Sequence, residues 1–258
     1  LLTQKAIAEG GRAMIYAAAQ TADLMVDAGR RQDRATQDKH DDTLGFYTPI
    51  LKGFLTEMGL EAANLGMQVF GGHGYIHEHG MEQIARDARI ATLYEGTTGI
   101  QALDLLGRKV LLGTRGKCVR DFSRIMLRSA KTHWLAHGSI GRMARSTAKR
   151  AIEWNLLTLR IMRRVGKDRD LVGSASVDYL MYSGYVMMAH FWARQAAVAQ
   201  AFLRNGKGAE SAEFYRAKIQ TAEFYFDRLL PRADAHRKSA LAPTRSLMQM
   251  GNGDFAFS

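Results

Sequence analysis

The chain has 258 residues, 47% hydrophobic and 24% charged, a balance that suits a folded globular protein and excludes a disordered one. No apolar run approaches the ~20 residues needed to cross a bilayer and neither end carries a lipidation signal, so no membrane partner is expected. The net charge of +11 is concentrated between Gly107 and Asp170, where 17 Lys and Arg stand against 4 Asp and Glu; the rest of the chain is near neutral.

Three prolines and an abundance of Ala, Leu, Met and Arg predict helix throughout. The single cysteine, Cys118, excludes an internal disulfide framework, suits the reducing cytoplasm and is read as structural. The opening Leu1-Leu2-Thr3-Gln4-Lys5 has neither initiator Met nor signal-peptide architecture and reads as a chain entered partway through.

From Leu1 to about Gly29 one face carries Ile7, Met14, Ala18, Thr21, Met25 and Ala28, which predicts a helix with Gly29 as its stop. Asp33 to Asp42 is polar and aperiodic, as a loop is. Thr48-Pro49 then offers a cap followed by proline at a first helical position. The helix so opened would bury Leu51, Leu55, Met58, Ala62, Leu65 and Val69. Gly71-Gly72-His73-Gly74 must end it, because three glycines in four residues lack the Cβ atoms that favour helix. A turn over Tyr75 to Gly80, a short helix from Met81 to about Ala91, a junction over Leu93 to Thr98 and a helix through Ile100 and Leu103 follow.

Beyond a junction near Leu106 to Gly116, three or four further helices are expected. One would carry Val177, Leu180, Gly184, Met187, Phe191, Val198 and Phe202 on a single face; another would carry Tyr215, Ile219, Ala222, Phe226 and Leu229. Met181, Met187, Met188, Phe191 and Trp192 read as core, and Ala242 to Ser258 as extended or partly helical. His73, His77 and His79 do not read as a metal site, because the glycines keep one helix from presenting them together.

The window from Gln68 to Gln101 carries the chemistry. Taken singly, a glycine-rich break is most often a turn and a glutamate in a junction is most often solvated. Here Gln68-x-x-Gly71-Gly72-x-Gly74-Tyr75, Arg86-Asp87-Ala88-Arg89-Ile90 and Tyr94-Glu95-Gly96-Thr97 occur in order. Together they resemble the C-terminal signature of acyl-CoA dehydrogenases. Gln4 to Gly10, Thr48 to Lys52 and Glu61 to Gly66 extend the likeness, and Thr97 to Lys109 resembles a subgroup with an extra C-terminal helical domain. Members acting on 3-methylmercaptopropionyl-CoA lie near that subgroup, although nothing in these residues selects that substrate.

The resemblance implies an all-α chain: the family's C-terminal four-helix bundle over 1–106, begun partway in, and an additional helical domain over 107–258. It implies α,β-dehydrogenation of an acyl-CoA thioester, with Glu95 as the base that removes the α-proton and FAD as hydride acceptor. Such a base must be desolvated, and the enolate stabilised, because the α-proton is too weakly acidic for a solvated carboxylate. Gly96 then clears space for the thioester, and the Glu95 N–H helps bind its oxygen. Gln68, Gly71 and Gly72 match positions contacting the adenosine and pyrophosphate end of FAD, generally in a neighbouring subunit; Thr97 matches a residue hydrogen-bonded to FAD. Gly99 departs from the Glu or Gln that many members carry there. Electrons would pass to an electron-transfer flavoprotein, and the assembly would be a homodimer or homotetramer. These 258 residues alone are expected to fold but to be catalytically silent. The alternatives are a nucleic-acid-associated relative using the basic 107–170 segment, disfavoured because no recognition motif is present, and a helical oligomerisation module.

Overall fold

Helix α1 (Leu2–Arg30) passes one residue beyond the expected stop and buries Ile7, Met14, Ala18 and Ala28. It belongs to a computed structural model that describes residues 1–206 and 208–255, except the side chain of Asn252, and contains no strand among them.

Helix α2 (Arg34–Val69) overturns two expectations. Asp33 to Asp42 is not a loop: Asp33 caps the helix, its carboxylate accepting from the Thr36 N–H at 3.0 Å, and Arg34 pairs with Asp38 one turn on. No residue from 33 to 45 is buried, so this stretch had no apolar period to display. Nor do Thr48-Pro49 begin the helix; Pro49 sits inside it. An interior proline costs about 3 kcal/mol. Burial of Phe46, Tyr47 and Ile50 on either side of it offsets that cost. The core-facing line is therefore Phe46, Ile50, Phe54 and Met58, while Leu51, Leu55 and Ala62 pack at its margin and Val69 is exposed.

The glycine break forms as expected. One turn of 3-10 helix occupies Gly71–Gly74, with Gly71 at φ +60. A Cβ on Gly74 would lie 2.2 Å from the Met67 carbonyl oxygen, so the return of the chain onto α2 requires glycine there. Helix α3 (Met81–Ile90) lies against α2, and α4 (Thr98–Leu103) continues as a π-helix over Asp104–Gly113. The chain then turns through Arg115 (φ +46) and Gly116 (φ +74).

Among the described residues six helices follow rather than three or four: α5 (Lys117–Thr132), α6 (Gly138–Val165), α7 (Leu171–Asn205), α8 (Ala212–Phe224), α9 (Arg232–Ser239) and α10 (Arg245–Met248). A π-helical turn, Tyr225–Leu229, extends α8. The tail is partly helical up to Phe255, and its last three residues lie outside the described ones. Helix α7 does not present a single apolar face. Every residue from Tyr179 to Trp192 is buried, as expected of a helix enclosed on all sides, with α1, α2, α4, α6, α8 and α9 packed around it. Val177 and Val198, placed on the expected stripe, are exposed. Helices from both sides of residue 106 thus share one core.

That core contains ionisable groups for which no period gave warning. Arg150 of α6 grips Asp234 of α9 through two bonds, 2.6 and 2.8 Å, and this holds the Asp234 carboxyl below its usual range. His190 of α7 is enclosed by Phe122 and Phe191, and its Nδ1 has no partner among the described residues. Burial lowers its pKa from 6.5 to about 4, so it is neutral at pH 7. An unfolded chain takes up this proton near pH 6.5 and the folded chain only near 4, so stability must fall as pH drops through that window. Urea unfolding at about pH 7 and about pH 5 is expected to differ by about 2 kcal/mol through this group. A His190→Phe variant should lose that difference; an unchanged difference would exclude His190 as its source.

Candidate functional site

Ala91 to Thr97 leaves the end of α3, crosses the flank of α2 and becomes the cap of α4. Two α2 side chains fix its path. The Lys52 ammonium donates to the Ala91 carbonyl and lies 5.0 Å from the centre of the Tyr94 ring; Glu57 accepts from the Thr98 hydroxyl. At its far end Thr97 caps α4, its hydroxyl oxygen accepting from the Ile100 N–H at 3.3 Å. A hydroxyl that accepts in this way keeps its own proton to donate.

Between these anchors the backbone is unusual. Glu95 has φ +51 and Gly96 φ +97. A glutamate in the left-handed region is strained by about 1 kcal/mol, and such strain gathers at functional sites. Gly96 has a reason internal to the chain, since its φ disfavours any side chain and a Cβ would meet the Gln101 amide at 2.3 Å. Among the described residues none accepts from the N–H of Glu95, Gly96 or Thr97, which leaves three successive donors without a partner there. Sequence reasoning assigned no such role to Lys52 or Glu57, because a lysine and a glutamate on a helix are too common to mark what lies some 40 residues away.

The expectation of a dry carboxylate is not met within these residues. Glu95 is exposed, and Leu93, Tyr94 and Ile100 beside it are each about half-exposed. The surface round the carboxylate is apolar but open, so the described residues leave Glu95 without enclosure.

Glu95, Gly96 and Thr97 are brought together; Gln68, Gly71 and Gly72 lie elsewhere. Gln68 stands 16 residues beyond Lys52 on α2, about 24 Å at 1.5 Å per residue. A groove of about 530 Å³ runs along α2 with Glu57 and Gln68 both in its wall. Gly71 needs glycine for its φ. Gly72 has neither a positive φ nor any atom within 4 Å of the place its Cβ would take. Nothing among the described residues requires glycine at 72. The nearby histidines are engaged locally: His77 meets Glu82 at 3.1 Å, and the His73 and His79 rings stack edge to face. Cys118 is half-buried, its sulfur accepting from the Thr114 hydroxyl, and burial raises its pKa.

The helical fold has a counterpart among solved structures. An acyl-CoA dehydrogenase from Bacillus anthracis, complexed with FAD, shares the fold with a TM-score of 0.69 at 15% identity, over 97% of this chain and 42% of that one. Two family models divide the sequence: "Acyl-CoA dehydrogenase, C-terminal domain" matches residues 1–111 and "Acetyl-CoA dehydrogenase C-terminal like" matches 120–251. The chain belongs to the acyl-CoA dehydrogenase family. It is 35% identical to the 3-methylmercaptopropionyl-CoA dehydrogenase of Ruegeria pomeroyi over 91% of its length and 39% of that protein's. It is 28% identical to a broad-specificity linear acyl-CoA dehydrogenase of Mycobacterium tuberculosis, over 99% and 42%. The chain thus spans about two fifths of the relatives it matches.

Proposed function

We propose that this chain is the base-bearing C-terminal part of an FAD-dependent acyl-CoA dehydrogenase: 1–106 is the family's bundle and 107–258 its additional helical domain. The observation that carries the reading is the strained Glu95-Gly96 turn with its three unpartnered N–H groups. The Glu95 carboxylate takes the α-proton of the thioester. The N–H groups of Glu95 and Gly96 receive the thioester oxygen as enolate charge develops, which lowers the acidity barrier a lone carboxylate could not cross. FAD, when bound, accepts the β-hydrogen as hydride. The Thr97 hydroxyl, with its proton still to give, and the open backbone at Gly71 and Gly72, beside Gln68, fit the polar edges of such a cofactor. The bare position at Gly72 supports the fit, because a glycine unexplained by its own chain suits a ligand lying against the backbone.

Two features favour an assembly. Glu95 needs a cover that these residues lack. Val69, Phe70, Tyr75, Ile76, Ile84 and Ile90 expose an apolar surface along α3 and the glycine break, which suits a homodimer or homotetramer. The proposal includes a cytoplasmic location and an electron-transfer flavoprotein as acceptor. No described helix is long and apolar enough to cross a membrane.

The test is made on the longer protein. Purified with its upstream sequence, it is expected to carry flavin in a 1:1 ratio and to desaturate acyl-CoA thioesters of one chain-length class, read by flavin bleaching. The 258 residues alone are expected to bind no stoichiometric flavin. A longer protein without flavin, or with flavin that no acyl-CoA bleaches, overturns the proposal.

A further inference from the structure

Helices α1, α7 and α8 pack against one another and leave between them a cleft of about 560 Å³. That volume lies within the range of small-molecule sites. The residue types explain the gap. Ala13 and Ala17 of α1 and Ala199 of α7 face it, and their side chains are too short to fill it. Each helix contributes at steps of three and four, Phe191 with Gln195 on α7 and Phe214 with Lys218 on α8, so one face of each helix builds one wall. The cleft is separate from the Glu95 junction. Leu180 of α7 packs beside Gly53 and Gln101 near that junction, and Gln195 stands 15 residues further along α7, about 22 Å at 1.5 Å per residue.

Four aromatic rings line the walls: Tyr16, Phe191, Phe214 and Tyr215. The fold holds part of this wall in place. Tyr215 is buried, stacks on Phe202 at 5.1 Å and meets Phe214 edge to face at 5.4 Å, and its hydroxyl accepts from the Glu210 N–H at 3.3 Å. The charges on the cleft have one sign. Arg194 and Lys218 line it and no carboxylate does. The sequence accounts for this, since α7 carries no Asp or Glu after Asp178 and α1 none between Glu9 and Asp23. Lys218 is already engaged: it donates to Glu9 at 2.8 Å and lies 5.1 Å from the centre of the Phe214 ring. Arg194 has no carboxylate within ion-pair distance among the described residues. Beside it the Gln195 amide nitrogen is shut from solvent without a hydrogen-bond partner among the described residues, so no bond from that nitrogen ties the side chain to the fold.

We propose that this cleft is a binding site for a small aromatic carboxylate, its ring among Tyr16, Phe191, Phe214 and Tyr215 and its carboxylate on Arg194. The rings select a flat aromatic body over an aliphatic chain, because offset and edge-to-face pairs add to what burial alone contributes. The single unengaged guanidinium selects a monoanion: its planar fork matches the two oxygens of a carboxylate, and a doubly charged phosphate would need a second cation, which Lys218 does not offer while bound to Glu9. Turning the Gln195 amide outward gives its donor an acceptor on the same carboxylate, which a buried N–H without a partner otherwise lacks. A wall already fixed by Phe202 and Glu210 loses little freedom when the ligand enters.

The test is calorimetric titration of the full 258-residue chain with three probes: 2-naphthoate, its neutral analogue 2-naphthamide, and decanoate. Naphthoate is expected to bind at 1:1, and naphthamide about tenfold more weakly, the scale of one lost charge-assisted contact. Decanoate should also bind more weakly than naphthoate, since an unbranched chain cannot stack. Arg194→Gln should bring naphthoate down to the level of naphthamide and leave naphthamide itself unchanged, a pattern that a general loosening of the cleft would not produce. Val198→Glu, which sets a carboxylate in the wall, should abolish naphthoate binding. Arg194 and Val198 are exposed, so circular dichroism should report unchanged folding in both variants. The proposal is overturned if naphthoate shows no saturable binding or binds no better than naphthamide. It is equally overturned if Arg194→Gln leaves naphthoate affinity as it was, or if decanoate binds as tightly as naphthoate.

Discussion

Glu95→Gln in the longer protein is expected to keep its flavin and its affinity for acyl-CoA and to lose about 10³-fold in kcat, the scale of a removed general base. The substitution suits the question because glutamine has the same shape, keeps the backbone N–H groups and cannot accept the proton at any working pH. A loss of flavin in the variant would instead mean that the left-handed turn had collapsed, since Glu95 and Gly96 together hold φ +51 and φ +97. Flavin content and substrate binding therefore have to be read beside turnover. If the variant turns over thioester at a substantial fraction of the parent rate, Glu95 is not the base. Stopped-flow bleaching of the flavin by acyl-CoA isolates the chemical step, so slow product release cannot mask the loss.

The second large effect concerns the crossing of α2 with α7. Phe54 is fully buried, and a Cβ on Gly184 would lie 2.1 Å from its ring; on the other side a Cβ on Gly53 would lie 2.6 Å from Leu180. The helices approach closely because each offers a glycine to the other's large side chain. Gly184→Ala is expected to destabilise by about 2–3 kcal/mol, since a ring wedged in a packed core cannot retreat. Phe54→Ala should cost about 4 kcal/mol through lost burial and the cavity left behind. The two changes are complementary, so the double variant should cost less than the sum by at least about 1 kcal/mol. Urea unfolding of the four proteins measures the cycle, and strict additivity would show that the ring and the glycine do not compete for one space.

The two effects connect through α2. The helix that presents Phe54 to α7 also carries Lys52 and Glu57, which pin the junction holding Glu95. Loosening the crossing would thus shift the supports of Glu95 before touching Glu95 itself. This is the physical link between the central core and the chemistry proposed for the rim of the bundle.

The sequence by itself determined the local features: helix throughout, a break at Gly71 to Gly74, a short helix from Met81, and the order of the Gln68, Glu95 and Thr97 motifs. Those depend on residues a few positions apart, where glycine, proline, caps and apolar spacing act directly. Tertiary structure decided what depended on distant partners. Pro49 lies within α2 because Phe46 and Tyr47 must be buried against helices more than 70 residues further on, Phe122 and Trp154 among them. Helix α7 is enclosed all round because six neighbours converge on it, and no periodicity within one helix can count its neighbours. Likewise the turn at Glu95 owes its course to Lys52 and Glu57, some 40 residues earlier. How dry that carboxylate becomes is a matter of solvent exclusion by surrounding chain, a property of three-dimensional packing that no string of residue types encodes position by position.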